Sequence, residues 1–251
     1  MVLRSALQQA MREELISRNV ARIVETPTVD SQEVRPLDAA EARTLLKVAQ
    51  PHRLHALWLL LVSTGLRRGE ALALTWSDVD LNAGTLRVRR NVQRIRRELI
   101  FGTPKTKRSV RTISLPQRCV RALSAHREQQ ERERKVAGAK WKPTAGQPAG
   151  LVFTTKSGGV TDPRGLNRML TILCREARVR RVRVHDIRHT CASLLLAQGI
   201  DARTIMETLG HSTITMTLDT YAHVMGATLR AASDRNGRRV GPRRIRRRSG
   251  E

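Results

Sequence analysis

Tyr221 is the one tyrosine among 251 residues, and it closes a stretch, residues 185–221, that opens on His185 and Arg188 as H-x-x-R and passes His211 directly after Leu209 and Gly210. A phenol with a reference pKa near 10 is ionised to only about one part in a thousand at neutral pH. It becomes a nucleophile when a base or a positive field favours the phenolate. Attack on a phosphodiester places extra negative charge on the non-bridging oxygens, which preorganised arginine forks and a histidine donor can hold. The departing 5′ oxygen then needs a proton, and a lysine on a hairpin can deliver one. Two upstream segments supply matching groups. Arg67 stands in TGLRRGEALALTW, residues 64–76, at a helix start where backbone N–H groups and a guanidinium can share one anion. Glu70, one turn later, is its orienting partner. Lys105 and Lys107 stand in the polar segment GTPKTKRS, residues 102–109. Arg67, Lys105, His185, Arg188, His211 and Tyr221 together meet every demand of this chemistry without a metal.

The totals point to the same partner. Against 22 Asp and Glu there are 47 Lys and Arg, a formal charge of +25, which calls for a polyanion and nucleic acid first. Aromatic residues are 2% of the chain, too few for a stacking platform of the kind single-strand binders use. Phosphate contacts to duplex DNA fit better. From Arg87 to Arg111 ten basic residues face one acid, Glu98, and Arg87, Arg89, Arg90, Lys107 and Arg108 are the expected DNA contacts. No apolar run reaches the roughly 18 residues of a transmembrane helix, and residues 1–25 lack a signal-peptide pattern, so no membrane partner and a cytoplasmic location are expected. Cys119, Cys174 and Cys191 fit neither a disulfide framework nor a zinc site and read as small core residues. His185 and His189 are four apart, but without H-E-x-x-H or a third ligand no metal is expected there.

These groups must be positioned by elements that the pattern predicts. Residues 2–18 form an amphipathic helix and residues 19–36 an irregular linker. Asp38 with Glu41 makes a capping box for a helix to about Ala49. The next helix runs from about His52 to a stop at Gly65. TLRVRRN, RRELIF and VRTISL, between residues 85 and 115, alternate with period two and predict a three-stranded antiparallel meander. A polar helix follows from Pro116 to about Val136, then a loop rich in Gly and Pro to Gly150. LVFTT is extended. Asp162 and Pro163 cap a helix to about Ala177. The helix carrying His185 ends at Gly199, one capped by Asp201 ends at Gly210, and Ser212 caps the one carrying Tyr221. A short helix from Gly226 to about Asp234 precedes a basic tail expected to be disordered.

In order, TGLRRGE, a lysine in the hairpin, HDIRHT, LGH and a tyrosine ten residues after that histidine resemble the tyrosine recombinase family, also called phage integrases. The resemblance runs from about residue 37 to residue 225. It implies the tyrosine recombinase catalytic-domain fold, mainly α with a small three-stranded antiparallel sheet. Arg67 and Arg188 would be the phosphate-binding arginines, supported by Glu70, and His211 the third donor. Lys105 would be the general acid, although Lys107 competes for that place, and His185 the base or hydrogen-bond partner near the phosphate. Tyr221 would form a 3′-phosphotyrosyl link that conserves the bond energy, so no cofactor, neither ATP nor divalent metal, is called on. The implied activity is site-specific integration or excision of a mobile element. The implied partners are double-stranded DNA, a homotetramer assembled on it, and accessory DNA-bending proteins.

The division expected is a helix over residues 1–25 resembling the end of an otherwise missing N-terminal core-binding domain, a linker over 26–36, a catalytic domain over 37–234 and the tail over 235–251. Two other readings compete. Residues 201–223 resemble a helix-turn-helix, so a truncated or inactive fragment would act only as a DNA-binding module. That reading leaves Arg67, the lysine hairpin and the unique tyrosine unexplained. A type IB topoisomerase would use similar chemistry to nick and reseal one strand.

Overall fold

A computed structural model of the protein describes residues 2–24, 35–96, 98–103 and 110–210. Lys105, Lys107, Arg108, His211, Tyr221 and the expected tail therefore lie outside the described residues. The chain divides into two compact units, residues 1–34 and 35–251.

In the first unit, helix α1 spans Val2–Arg12. It is shorter than the period predicted, because Glu14 turns to the left-handed region at φ 57°, where no helix continues. A single 3-10 turn, Val20–Arg22, folds back on it. Arg4 Nε donates to Ala21 O at 2.7 Å and Asn19 Nδ2 to Arg4 O at 2.8 Å.

The second unit is built round helix α3, His55–Thr64, which is buried from Ala56 to Val62. Such an all-round apolar helix belongs inside a core. Helix α2, Ala39–Ala49, packs on it and starts on the expected capping box: Asp38 accepts from the N–H groups of Ala40 and Glu41, and Glu41 accepts from that of Asp38. At the far end of α3, Gly65 takes φ 61° and donates its N–H to Leu61 O, the left-handed stop that glycine allows. Helix α4, Arg68–Leu72, begins three residues on.

The strands depart from the predicted meander. Strands β1 (Val79–Asp80), β2 (Thr85–Val88) and β5 (Arg111–Ser114) form a three-stranded antiparallel sheet in the order β1-β2-β5, while β3 (Asn91–Ile95) and β4 (Glu98–Gly102) form a separate hairpin. Leu86 pairs with Ile113 and Val92 with Phe101. The break falls at Arg89 and Arg90. Both guanidiniums turn onto the buried carboxylate of Asp78, Arg89 Nε to Oδ1 at 2.5 Å and Arg90 Nη2 to Oδ2 at 2.6 Å. The chain thus leaves the first sheet there and lays the hairpin on α4. Gly69 permits that approach, since a Cβ on it would sit 2.5 Å from Val92 O.

Helices α5 (Gln117–Ala137), α6 (Pro163–Glu176), α7 (Val184–Ala197) and α8 (Ala202–Leu209) complete the unit. The expected caps are present: Asp162 accepts from Arg164 N–H with Pro163 in the first turn, and Asp201 accepts from Thr204 N–H. Leu151, Val152 and Phe153 form a buried extended piece bridged to Thr75. The three cysteines are free and buried. Among the described residues no helix is long and apolar enough to cross a membrane.

Candidate active site

Three segments far apart in sequence line one cleft of about 650 Å³: the start of α4 with Arg67, strand β3 with Arg94, and the start of α7 with Arg183, His185 and Arg188. Each charged group has a definite hold. Arg188 is 3% exposed and donates from Nη1 to Gly65 O at 2.8 Å, so the left-handed turn that ends α3 also aims a carbonyl at this guanidinium. Arg67 donates from Nη1 to Glu70 Oε1 at 2.8 Å and from Nη2 to Gly210 O at 2.9 Å. Its side chain keeps 41% exposure toward the cleft. Fixed guanidiniums of this kind need no reorganisation when an anion arrives.

Glu70 is buried beneath this pair. Its Oε2 accepts from the Arg67 N–H at 2.9 Å and from Arg111 Nη2 at 3.0 Å. Burial by itself would raise the carboxyl pKa. The Arg111 guanidinium, together with the Arg67 N–H and charge, outweighs it and holds the carboxyl below its ordinary value.

His185 opens onto the cleft. Surrounding protein first, then the positive field of Arg188, Arg183 and Arg67, lowers its pKa, against a smaller opposing pull from Asp186. The ring is therefore neutral at neutral pH. His189 packs edge-on against it with ring centres 5.0 Å apart. Its pKa is lowered to about 4, by burial first and then by His185. This places His189 as a neutral packing partner. Among the described residues no group of three or more His, Cys, Asp or Glu could hold a metal ion.

The site residues expected from sequence fall into three sets. Arg67, Glu70, His185 and Arg188 come together. Arg87 lies elsewhere, on a cavity shared with Trp76, Asp78 and Arg127, and Arg89 and Arg90 are engaged by Asp78. Lys105, Lys107, Arg108, His211 and Tyr221 are outside the described residues. A further cavity of about 620 Å³, between Trp76 and Trp141, has prolines in its wall and sets Arg127 and Arg134 beside Glu131. It gathers no comparable cluster of donors.

The model of the phage integrase family matches residues 35–227. The chain belongs to that family. It is 34% identical over 202 residues to the tyrosine recombinase XerC-like protein of Caldanaerobacter subterraneus subsp. tengcongensis, covering 77% of this chain and 51% of that protein. To an integrase of Saccharopolyspora erythraea it is 27% identical, covering 92% of this chain and 64% of the integrase. The chain thus spans between about half and two thirds of the length of these family members. Among solved structures, XerA recombinase matches with a TM-score of 0.64 and 25% identity, over 85% of this chain and 67% of that one. The Tn1549 transposon integrase, solved in complex with transposon right end DNA, matches with a TM-score of 0.74 and 22% identity, over 92% and 76%. The mainly helical fold with a small antiparallel sheet is thus the integrase catalytic-domain fold.

Arg111, which joins Glu70 beneath the cleft, is a residue that reading the sequence passed over, counting it only as one charge in a basic run. The signal was there in the period: Arg111, Ile113 and Leu115 alternate along β5, and Ile113 and Leu115 are buried. Alternate residues of a strand share a face, so Arg111 had to point inward. Arg94 and Arg183, also in the cleft wall, carry no such mark in the sequence.

Proposed function

We propose that this chain is the catalytic part of a site-specific DNA recombinase that cleaves and rejoins strands through a 3′-phosphotyrosyl intermediate, in the integration or excision of a mobile element. The observation that carries this reading is the convergence of Arg67, His185 and Arg188 on one cleft inside the family's matched region. The scissile phosphate of duplex DNA would sit there with its non-bridging oxygens on the two guanidiniums. Tyr221 attacks phosphorus, the bond to the 5′ oxygen breaks, and Lys105 protonates the departing oxygen. His211 adds a third donor to the phosphate, and neutral His185 accepts or relays the phenolic proton. Rejoining runs the same steps backwards from a second strand's 5′ hydroxyl. The energy of the cleaved bond stays in the phosphotyrosine, so nucleotide hydrolysis has no part in the balance.

Arg94 and Arg183 at the cleft wall, with Lys107 and Arg108 close to Lys105 in sequence, are the proposed backbone contacts. Synapsis of two duplexes by four copies follows from the need to exchange strands.

The test is covalent trapping. Protein is mixed with a pool of nicked duplexes of randomised sequence, in which the short fragment beyond the cut diffuses away and blocks resealing. Trapped DNA is then recovered and sequenced. Wild-type protein should give a covalent adduct at a definite sequence, and Tyr221→Phe none. An adduct that survives in Tyr221→Phe removes the tyrosine from its role.

A further inference from the structure

We propose that Arg111 is a positioning residue for the phosphate site: with Arg67 it clamps the C-terminal turn of α8 onto α4 through one shared carboxylate. The same buried cluster thereby sets both the phosphate-gripping guanidinium and the turn that leads into His211. The proposal rests on the phosphate-transfer reading of the cleft.

The last carbonyls of a helix have no partner within it and lie at the negative end of its dipole. On α8 two of these are taken by arginines from elsewhere. Thr208 O accepts from Arg111 Nε at 2.9 Å, and Gly210 O accepts from Arg67 Nη2 at 2.9 Å. The two arginines come from β5 and from the start of α4, and both also donate to Glu70. Arg111 reaches it twice, Nη2 to Oε2 at 3.0 Å and Nη1 to Oε1 at 3.3 Å. Arg67 reaches it through Nη1 and through its N–H.

Exposure divides the labour. The Arg111 side chain is 8% exposed and Glu70 4%, against 41% for Arg67. Arg111 is thus the buried anchor and Arg67 the arm that reaches the cleft. Gly210 completes the fit. It takes φ 67°, and a Cβ on it would stand 2.9 Å from Arg111 Nη1, so the guanidinium lies flat against the bare backbone of the turn. His211 is the next residue in the chain.

An alternative would be that Arg111 merely balances a buried charge. A lysine could do that. Its single ammonium could not reproduce the three separate nitrogens that Arg111 sets on Thr208 O and on both Glu70 oxygens in one rigid plane.

The experiment records thermal melts of full-chain wild type, Arg111→Lys and Arg111→Met and compares them in two further measurements. The first, without DNA, is amide hydrogen exchange over α8 and α3. The second is the single-turnover rate of covalent adduct on the nicked duplex recovered by trapping, with duplex affinity measured separately. Faster exchange is expected at the end of α8 with α3 unchanged. The adduct rate should fall by about tenfold to a hundredfold, as expected for a misplaced reacting group. Duplex affinity should stay within about threefold, since phosphate neutralisation dominates it. Arg111→Lys should recover thermal stability without recovering the rate.

A wild-type rate in either variant overturns the proposal. So does a rate that returns with stability in Arg111→Lys, which assigns Arg111 to charge balance alone. If the wild type traps no duplex, it is the phosphate-transfer reading that fails. Exchange at α8 then decides the clamp by itself, unchanged exchange in Arg111→Met overturning it as well.

Discussion

Glu70 Oε2 and Arg111 Nη2 lie 3.0 Å apart in a setting where neither side chain is more than 8% exposed. Removing one member of such a pair leaves an uncompensated charge in a poor solvent for it. Glu70→Gln should therefore lower the unfolding free energy by about 3 kcal/mol at pH 7, read as a lower urea midpoint with an unchanged slope. The sign with pH follows from the depressed carboxyl pKa. Its stabilisation is fully present above the ordinary glutamate value and is lost as pH falls through the folded value. The gap between wild type and Glu70→Gln should narrow in acid, and a gap constant from pH 7 to 3 would contradict the pairing.

His189 contributes in the same direction by a different cause. Burial lowers its pKa to about 4 from an ordinary value of 6.5, so between those limits the unfolded chain binds the proton more readily. Stability should fall as pH drops from about 6.5 toward 4, by on the order of 2 to 3 kcal/mol. His189→Gln, similar in shape and uncharged, should flatten that part of the profile in thermal melts.

Gly65 joins three functions at one backbone position. It stops α3 at φ 61°, presents its carbonyl to Arg188, and leaves room for α8: a Cβ there would overlap Leu209 Cδ2. Gly65→Ala should destabilise the protein by about 2 kcal/mol from backbone strain and overpacking together. It should also slow covalent trapping beyond what the loss of folded protein explains. Circular dichroism melts and single-turnover trapping separate the two effects.

Salt reports on the grip. A duplex held through several phosphates releases counterions, and affinity should fall by roughly a thousandfold or more between 50 and 200 mM salt. Arg94→Gln and Arg183→Gln should each reduce that slope by about one in fluorescence anisotropy titrations. A slope unchanged by both variants would take the DNA away from this cleft.

Much of the architecture was legible because its signals are local. A capping carboxylate at Asp38, Asp162 or Asp201, a glycine at Gly65 or Gly210 and an apolar run through α3 act on their own few residues, so the observed helix ends follow them closely. The strands were less legible. Period two marks a segment as a strand without naming its neighbour, and the pairing turned on Asp78, whose two ion pairs with Arg89 and Arg90 draw the chain out of the first sheet. The same contacts engage two of the arginines that the sequence marks as expected DNA contacts.

By itself, the sequence determined which side chains could perform phosphate chemistry and on which helix starts Arg67, His185 and Arg188 would sit. Spacing along a helix is fixed by 3.6 residues per turn, and capping is fixed by neighbours. Only the tertiary structure decided that the first turn of α4 meets that of α7 across one cleft, and that a strand arginine joins Glu70 beneath them. Those are contacts across 41 to more than a hundred residues of chain. They exist because burying α3 on every side forces its flanking elements together, and no local pattern carries that information.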